Sequence, residues 1–120
     1  MRAALVQLTV GDDPAANLAA TLAQVRAAVA GGAGFVLTPE CTNMLSSDRA
    51  RQRALLHAED DDPTLSALRE AAAAAGVWLL AGSIAVKTGE ADGRLANRSL
   101  LIGPDGGIVA RYDKIHMFDV

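Results

Sequence analysis

The chain is poor in cysteine, in lysine and in uninterrupted apolar sequence, and each shortage excludes something. Its one cysteine, Cys41, cannot close an internal disulfide and forms no metal-binding spacing. No stretch approaches the ~18 consecutive apolar residues that a membrane-spanning helix needs. Net charge is -3 over 120 residues, so the basic footprint of a nucleic-acid binder is missing. Arg26, Arg49, Arg51, Arg53 and Arg69 lie among acidic and apolar residues without interleaved aromatics, which reads as solvated helix face. The first segment, Met1 to Leu8, is broken by Gln7 and followed at once by Gly11-Asp12-Asp13. It lacks the small-residue cleavage site of a signal peptide, so a cytoplasmic location is expected.

What is present is ordinary globular sequence. Hydrophobic residues make up 51% and charged residues 21%, enough apolar surface for one small core and too much for disorder. Repeats, linkers and low-complexity tracts are lacking. Arg2 to Leu8 reads as a buried strand. Asp13-Pro14 opens a helix with a capping acid and a proline at its first position. Leu18, Leu22, Val25 and Val29 recur at helical spacing until Gly31-Gly32. Phe35 to Leu37 is a second strand ending at Pro39-Glu40, and a polar stretch turns helical from Asp48. Asp62-Pro63 opens another helix, with Leu65, Leu68 and Ala72 on one face and a stop at Gly76. Val77 to Ala81 is predicted as a third strand. Ser83 to Val86 and Leu95 to Ile102 bracket a turn at Gly89-Glu90-Ala91-Asp92-Gly93, as in a hairpin. Pro104 to Gly107 turns the chain into a last strand, Ile108 to Tyr112. This order predicts an α/β fold: a mixed sheet with helices on one face.

Two ionisable side chains end such strands. Phe35-Val36-Leu37 leads through Thr38-Pro39 to Glu40, and Ile108 to Tyr112 leads through Asp113 to Lys114. Strand ends in layered folds gather catalytic groups, because the sheet is rigid and the loops beyond can close over them. Pro39 fixes its own φ and biases Thr38 toward extended backbone, so Glu40 leaves the strand in a stiff geometry. Positive charge in this chain is written as nine Arg and two Lys, so Lys114 stands out. A compact ammonium does there what a planar fork cannot. The bland readings are a solvated acid and a solvated lysine in two turns. Cys41 follows Glu40 directly. In extended backbone neighbours face opposite ways, so a buried structural thiol is expected rather than a nucleophile. His57 reads as solvated. Asn97 reads as tying adjacent strands by a hydrogen bond. Gly31-Gly32-Ala33-Gly34 follows a helix and precedes a strand, the reverse of a phosphate loop.

Leu37-Thr38-Pro39-Glu40 and Arg111-Tyr112-Asp113-Lys114-Ile115-His116-Met117-Phe118 resemble the first two catalytic blocks of the nitrilase, or carbon–nitrogen hydrolase, superfamily. Asp62-Pro63-Thr64, Trp78 to Ser83, Asn97-Arg98-Ser99 and Gly103 to Gly106 are similar to the pattern between those blocks, especially in the small-amidase branch. The resemblance implies a fold of four layers, an α-β-β-α sandwich with mixed sheets, of which residues 1–120 are the N-terminal half. It implies Glu40 as general base and Lys114 as oxyanion stabiliser, with Tyr112, His116 and Phe118 walling the pocket. The nucleophilic cysteine is expected beyond Val120.

The expected parent reaction is hydrolysis of a linear carboxamide through a cysteine thioester, with a small-molecule amide as substrate. No metal, organic cofactor, nucleic acid or membrane is implied, and the complete protein is expected to form a homodimer. The isolated 120-residue chain is expected to be inactive. A competing reading is a non-catalytic truncated fragment that acts only by pairing with another chain. A nucleotide-binding domain is disfavoured, since no phosphate loop follows a strand.

Overall fold

A computed structural model of the chain describes residues 1–90 and 94–114. In chain order the elements are β1 (Ala3–Leu5), α1 (Pro14–Ala30), β2 (Phe35–Leu37), α2 (Arg49–Leu55), a 3-10 turn (Glu59–Asp61), α3 (Pro63–Ala75), β3 (Trp78–Lys87), β4 (Leu95–Ile102) and β5 (Ile108–Asp113). The strands form one sheet in the order β1-β2-β3-β4-β5. The pairs β1–β2 and β2–β3 are parallel, and β3–β4 and β4–β5 are antiparallel. The expected mixed sheet is therefore present.

Local chemistry sets the helix ends. Asp13 accepts from the Ala15 and Ala16 N–H groups, and Asp62 accepts from Leu65 at 2.9 Å, so both capping acids satisfy otherwise orphaned donors. Helix α3 stops at Gly76, which takes a left-handed φ of 65° that a side chain would disfavour. Leu65, Leu68 and Ala72 of α3 meet Leu79, Ala81, Ile84 and Val86 of β3, and Leu100 and Ile102 of β4. Each fully buried leucine in this layer contributes roughly 1.5–3 kcal/mol.

Three expectations change. The first strand is shorter, Ala3–Leu5, and largely exposed rather than buried, although Val6 N–H still donates to the Leu37 carbonyl at 2.8 Å. The deepest positions of α1 are Asn17, Thr21 and Val25, while Leu22 and Val29 are half-buried. Asn17 goes inside because its amide donates to the Gly11 and Asn43 carbonyls, tying two loops to the helix. Finally, Val77 to Ala81 and Ser83 to Val86 are one ten-residue strand, Trp78–Lys87, with an irregularity in its pairing between Ala81 and Ile84. Gly82 there marks a close approach of another backbone rather than a break.

Among the described residues, helices cover one side of the sheet only. On the other side Phe35, Leu37, Trp78, Leu80 and Leu101 are half-buried, and Leu5 is 79% exposed. An apolar face of this kind binds partners or other chains. The native chain is expected to bind an apolar-surface dye and to scatter light, and Leu80→Asp to reduce both. A monodisperse monomer that binds no dye would contradict this.

Candidate active site

The turn after β2 is held against β3 by hydrogen bonds from nearly every residue in it. Thr38 N–H donates to Leu80 O at 3.0 Å, and Thr42 N–H donates to Ser83 O at 2.9 Å. The Thr42 hydroxyl donates to Pro39 O at 2.6 Å and lies 2.9 Å from the Thr38 hydroxyl, which accepts from Gly82 N–H. Asn43 works as a spare strand residue: its amide donates to Ala85 O and its carbonyl oxygen accepts from Ala85 N–H. From β4, Ser99 donates to Gly82 O. Buried polar groups satisfied this completely rigidify the backbone around them.

That frame presents Glu40 at the carboxyl end of β2, where ligands bind in open α/β sheets. Lys114 follows β5, its N–H donating to Asn97 O at 3.0 Å. The ammonium of Lys114 lies 2.5 Å from a carboxylate oxygen of Glu40. Glu40 is 66% exposed and Lys114 28%, so the pair is open to solvent on one side. Two residues far apart in the sequence, one after β2 and one after β5, thus meet, an acid beside a cation. An arrangement of this kind can accept a proton and hold a developing oxyanion.

Cys41 departs from the extended backbone expected of it. It sits in the turn with φ 53°, its N–H donating to the Ser83 hydroxyl at 2.9 Å. The thiol is half-buried, and burial pushes it above its ordinary value. The Glu40 carboxylate adds to the upward shift, while Lys114 and Ser83 oppose it. A thiol raised in this way stays protonated and is a poor nucleophile. The turn, rather than opposed faces of a strand, sets where the thiol lies.

Tyr112 is 60% exposed on β5, paired in register with Ser99. His116 and Phe118 lie outside the described residues. His57 is exposed, and Gly31 caps α1, as expected. Asn97 ties strands through its backbone carbonyl. Among the described residues no group of His, Cys, Asp and Glu is placed to hold a metal. No helix among them is long and apolar enough to cross a membrane. Sequence reasoning missed Thr38, Thr42, Asn43, Gly82 and Ser99 as supports of Glu40. The available signal was Gly82-Ser83 interrupting an apolar strand.

The Carbon-nitrogen hydrolase family profile matches residues 2–120. A deaminated glutathione amidase from Yersinia enterocolitica is 37% identical, over 98% of this chain and 40% of its own length. An omega-amidase from Homo sapiens is 33% identical, over 99% of this chain and 41% of its own. The chain therefore spans about 40% of the length of these relatives. Among solved structures, the amidase from Nesterenkonia sp. AN1 carrying acrylamide at its active site cysteine superposes with a TM-score of 0.79 and 26% identity. That match covers 100% of this chain and 46% of the amidase. Profile, relatives and fold agree: this chain belongs to the carbon-nitrogen hydrolase family.

Proposed function

We propose that residues 1–120 are the N-terminal part of an amidase domain, supplying its general base and its oxyanion-stabilising cation. The observation that carries this reading is the Glu40–Lys114 pair, 2.5 Å apart, with Glu40 presented at the end of β2 by a hydrogen-bonded turn and Lys114 at the end of β5. In the proposed reaction a cysteine thiol gives its proton to Glu40 and attacks the carbon of a short linear carboxamide. Lys114 faces the oxyanion that forms. Glu40 returns the proton to the departing ammonia, leaving a thioester. Water, deprotonated by Glu40, then attacks the thioester and releases the acid and the thiol. Tyr112 walls the pocket in this scheme, and the wall roles that the resemblance gives His116 and Phe118 fall outside the described residues.

The attacking thiol in this scheme is not Cys41, which is half-buried in the turn whose backbone Ser83 holds against β3. It comes from sequence beyond Val120. The amidase neighbour with acrylamide on its active site cysteine supports a thiol chemistry for the family. We place the complete protein in the cytoplasm as a homodimer. The half-exposed apolar sheet face supports a second, compatible reading, in which this chain functions only when paired with further sheet.

Ammonia release from short linear carboxamides tests the assignment. The 120-residue chain is expected to release none, and Cys41→Ala to change nothing. Turnover by this chain that disappears in Cys41→Ala would make Cys41 the nucleophile and overturn the scheme.

A further inference from the structure

The charged cluster on the helix side of β4 and β5 has no place in the reaction above, yet it adjoins Lys114. Arg98 grips Asp113 with both arms of its guanidinium, at 2.6 and 2.9 Å. Glu59 from the 3-10 turn accepts from Arg98 at 3.3 Å and receives Arg111 bidentately. The pairing opposes Arg98 to Asp113 directly across the two strands. Asp113 is the residue before Lys114. Side chains alternate along a strand, so Arg111 and Asp113 face the helix side while Tyr112 and Lys114 face the side on which Glu40 lies.

Besides its backbone ladder and the Arg111–Glu59 fork, the strand carrying Lys114 has little to hold its register. Apart from Ile108, every residue of β5 is exposed, so hydrophobic burial does not select one alignment over another. The turn before it does not carry its alignment through either, because pairing shifts between Leu101 and Ile102. A slip of one residue in such a strand sends every side chain to the opposite face. Lys114 would then leave Glu40. Lys114 N–H to Asn97 O is a backbone bond that a slipped strand can remake with another partner. The Arg98–Asp113 fork cannot be remade elsewhere.

We infer that Arg98 is a positioning residue: by clamping Asp113 it pins the register of β5 and so keeps Lys114 opposite Glu40. The inference rests on the reading of Lys114 as a site residue. Its test needs no turnover, so the two can fail separately. Lys114 and Lys87 are the only lysines. A pulse of acetylating reagent, read by mass spectrometry, therefore measures Lys114 modification against Lys87 as internal standard in the chain as it stands.

Arg98→Met is expected to raise the Lys114-to-Lys87 ratio roughly two- to fivefold, the range for releasing a partly exposed ion pair. Exchange of the Lys114 amide hydrogen should accelerate alongside. Asp113→Asn, at a half-exposed position, should do the same and serves if Arg98→Met fails to fold. Glu59→Gln weakens the Arg111 tie but spares the Arg98–Asp113 fork, and should move both readouts less than either of those variants. Glu40→Gln should raise labelling without speeding amide exchange, since it frees the amine but not the strand. Wild-type amide exchange in Arg98→Met or Asp113→Asn would overturn the clamp. So would a Glu59→Gln effect as large as theirs, which would mean general loosening. Unchanged labelling in Glu40→Gln would count against the Glu40–Lys114 pairing and leave the clamp to be judged by amide exchange alone.

Discussion

Gly82→Ala is expected to destabilise the chain by ~1–3 kcal/mol, or more, and to displace Glu40. A methyl group at Gly82 would lie 2.3 Å from Thr38 O and 2.7 Å from both the carbonyl carbon and oxygen of Pro39. Those are backbone atoms, so no rotamer change relieves the overlap. The strand and the turn must separate, and the turn is what carries Glu40. Separation also breaks the bonds from Thr42 to Ser83 and from Gly82 to the Thr38 hydroxyl. Gly11→Ala provides the contrast, because an added methyl there meets nothing within 4 Å. Urea unfolding of both variants decides the matter. A Gly82→Ala midpoint equal to that of Gly11→Ala would show that the crossing yields easily.

In the complete family domain, Glu40→Gln and Lys114→Ala are each expected to lower kcat for carboxamide hydrolysis by ~10²–10⁴-fold. The first removes the proton acceptor while keeping the shape and hydrogen bonding of the side chain. The second removes the charge that faces the oxyanion. Both residues act in the same steps, so the double variant should fall well short of the product of the single losses. Melting temperatures should barely move, because an ion pair this open to solvent adds little to stability. Near-normal kcat in Lys114→Ala, with unchanged melting, would reduce Lys114 to a surface charge.

Sequence by itself determined the parts whose causes are local. Asp13-Pro14 and Asp62-Pro63 start helices because a capping carboxylate needs only donors two or three residues ahead. Gly76 ends one because a left-handed residue is required at that point. Glu40 and Lys114 were legible as strand-end ionisable groups for the same reason, since an apolar run and the residue after it are neighbours in the chain. Tertiary structure decided whatever depends on segments meeting across the sheet. Cys41 takes a left-handed turn because Ser83 and the Thr38–Thr42 bonds draw the chain onto β3, and no property of Glu40-Cys41 announces that. Asn17 sits on the inner stripe of α1 in place of an expected leucine because its amide reaches the Gly11 and Asn43 carbonyls, and the buried Thr21 hydroxyl donates back to Asn17 O. Gly82 reads as a strand break until Thr38 and Pro39 are seen crossing it. Register along β5 is likewise a matter of which residue stands across from Asp113. Alternation along a strand says which side chains share a face, but only the neighbouring strand says where that face is directed.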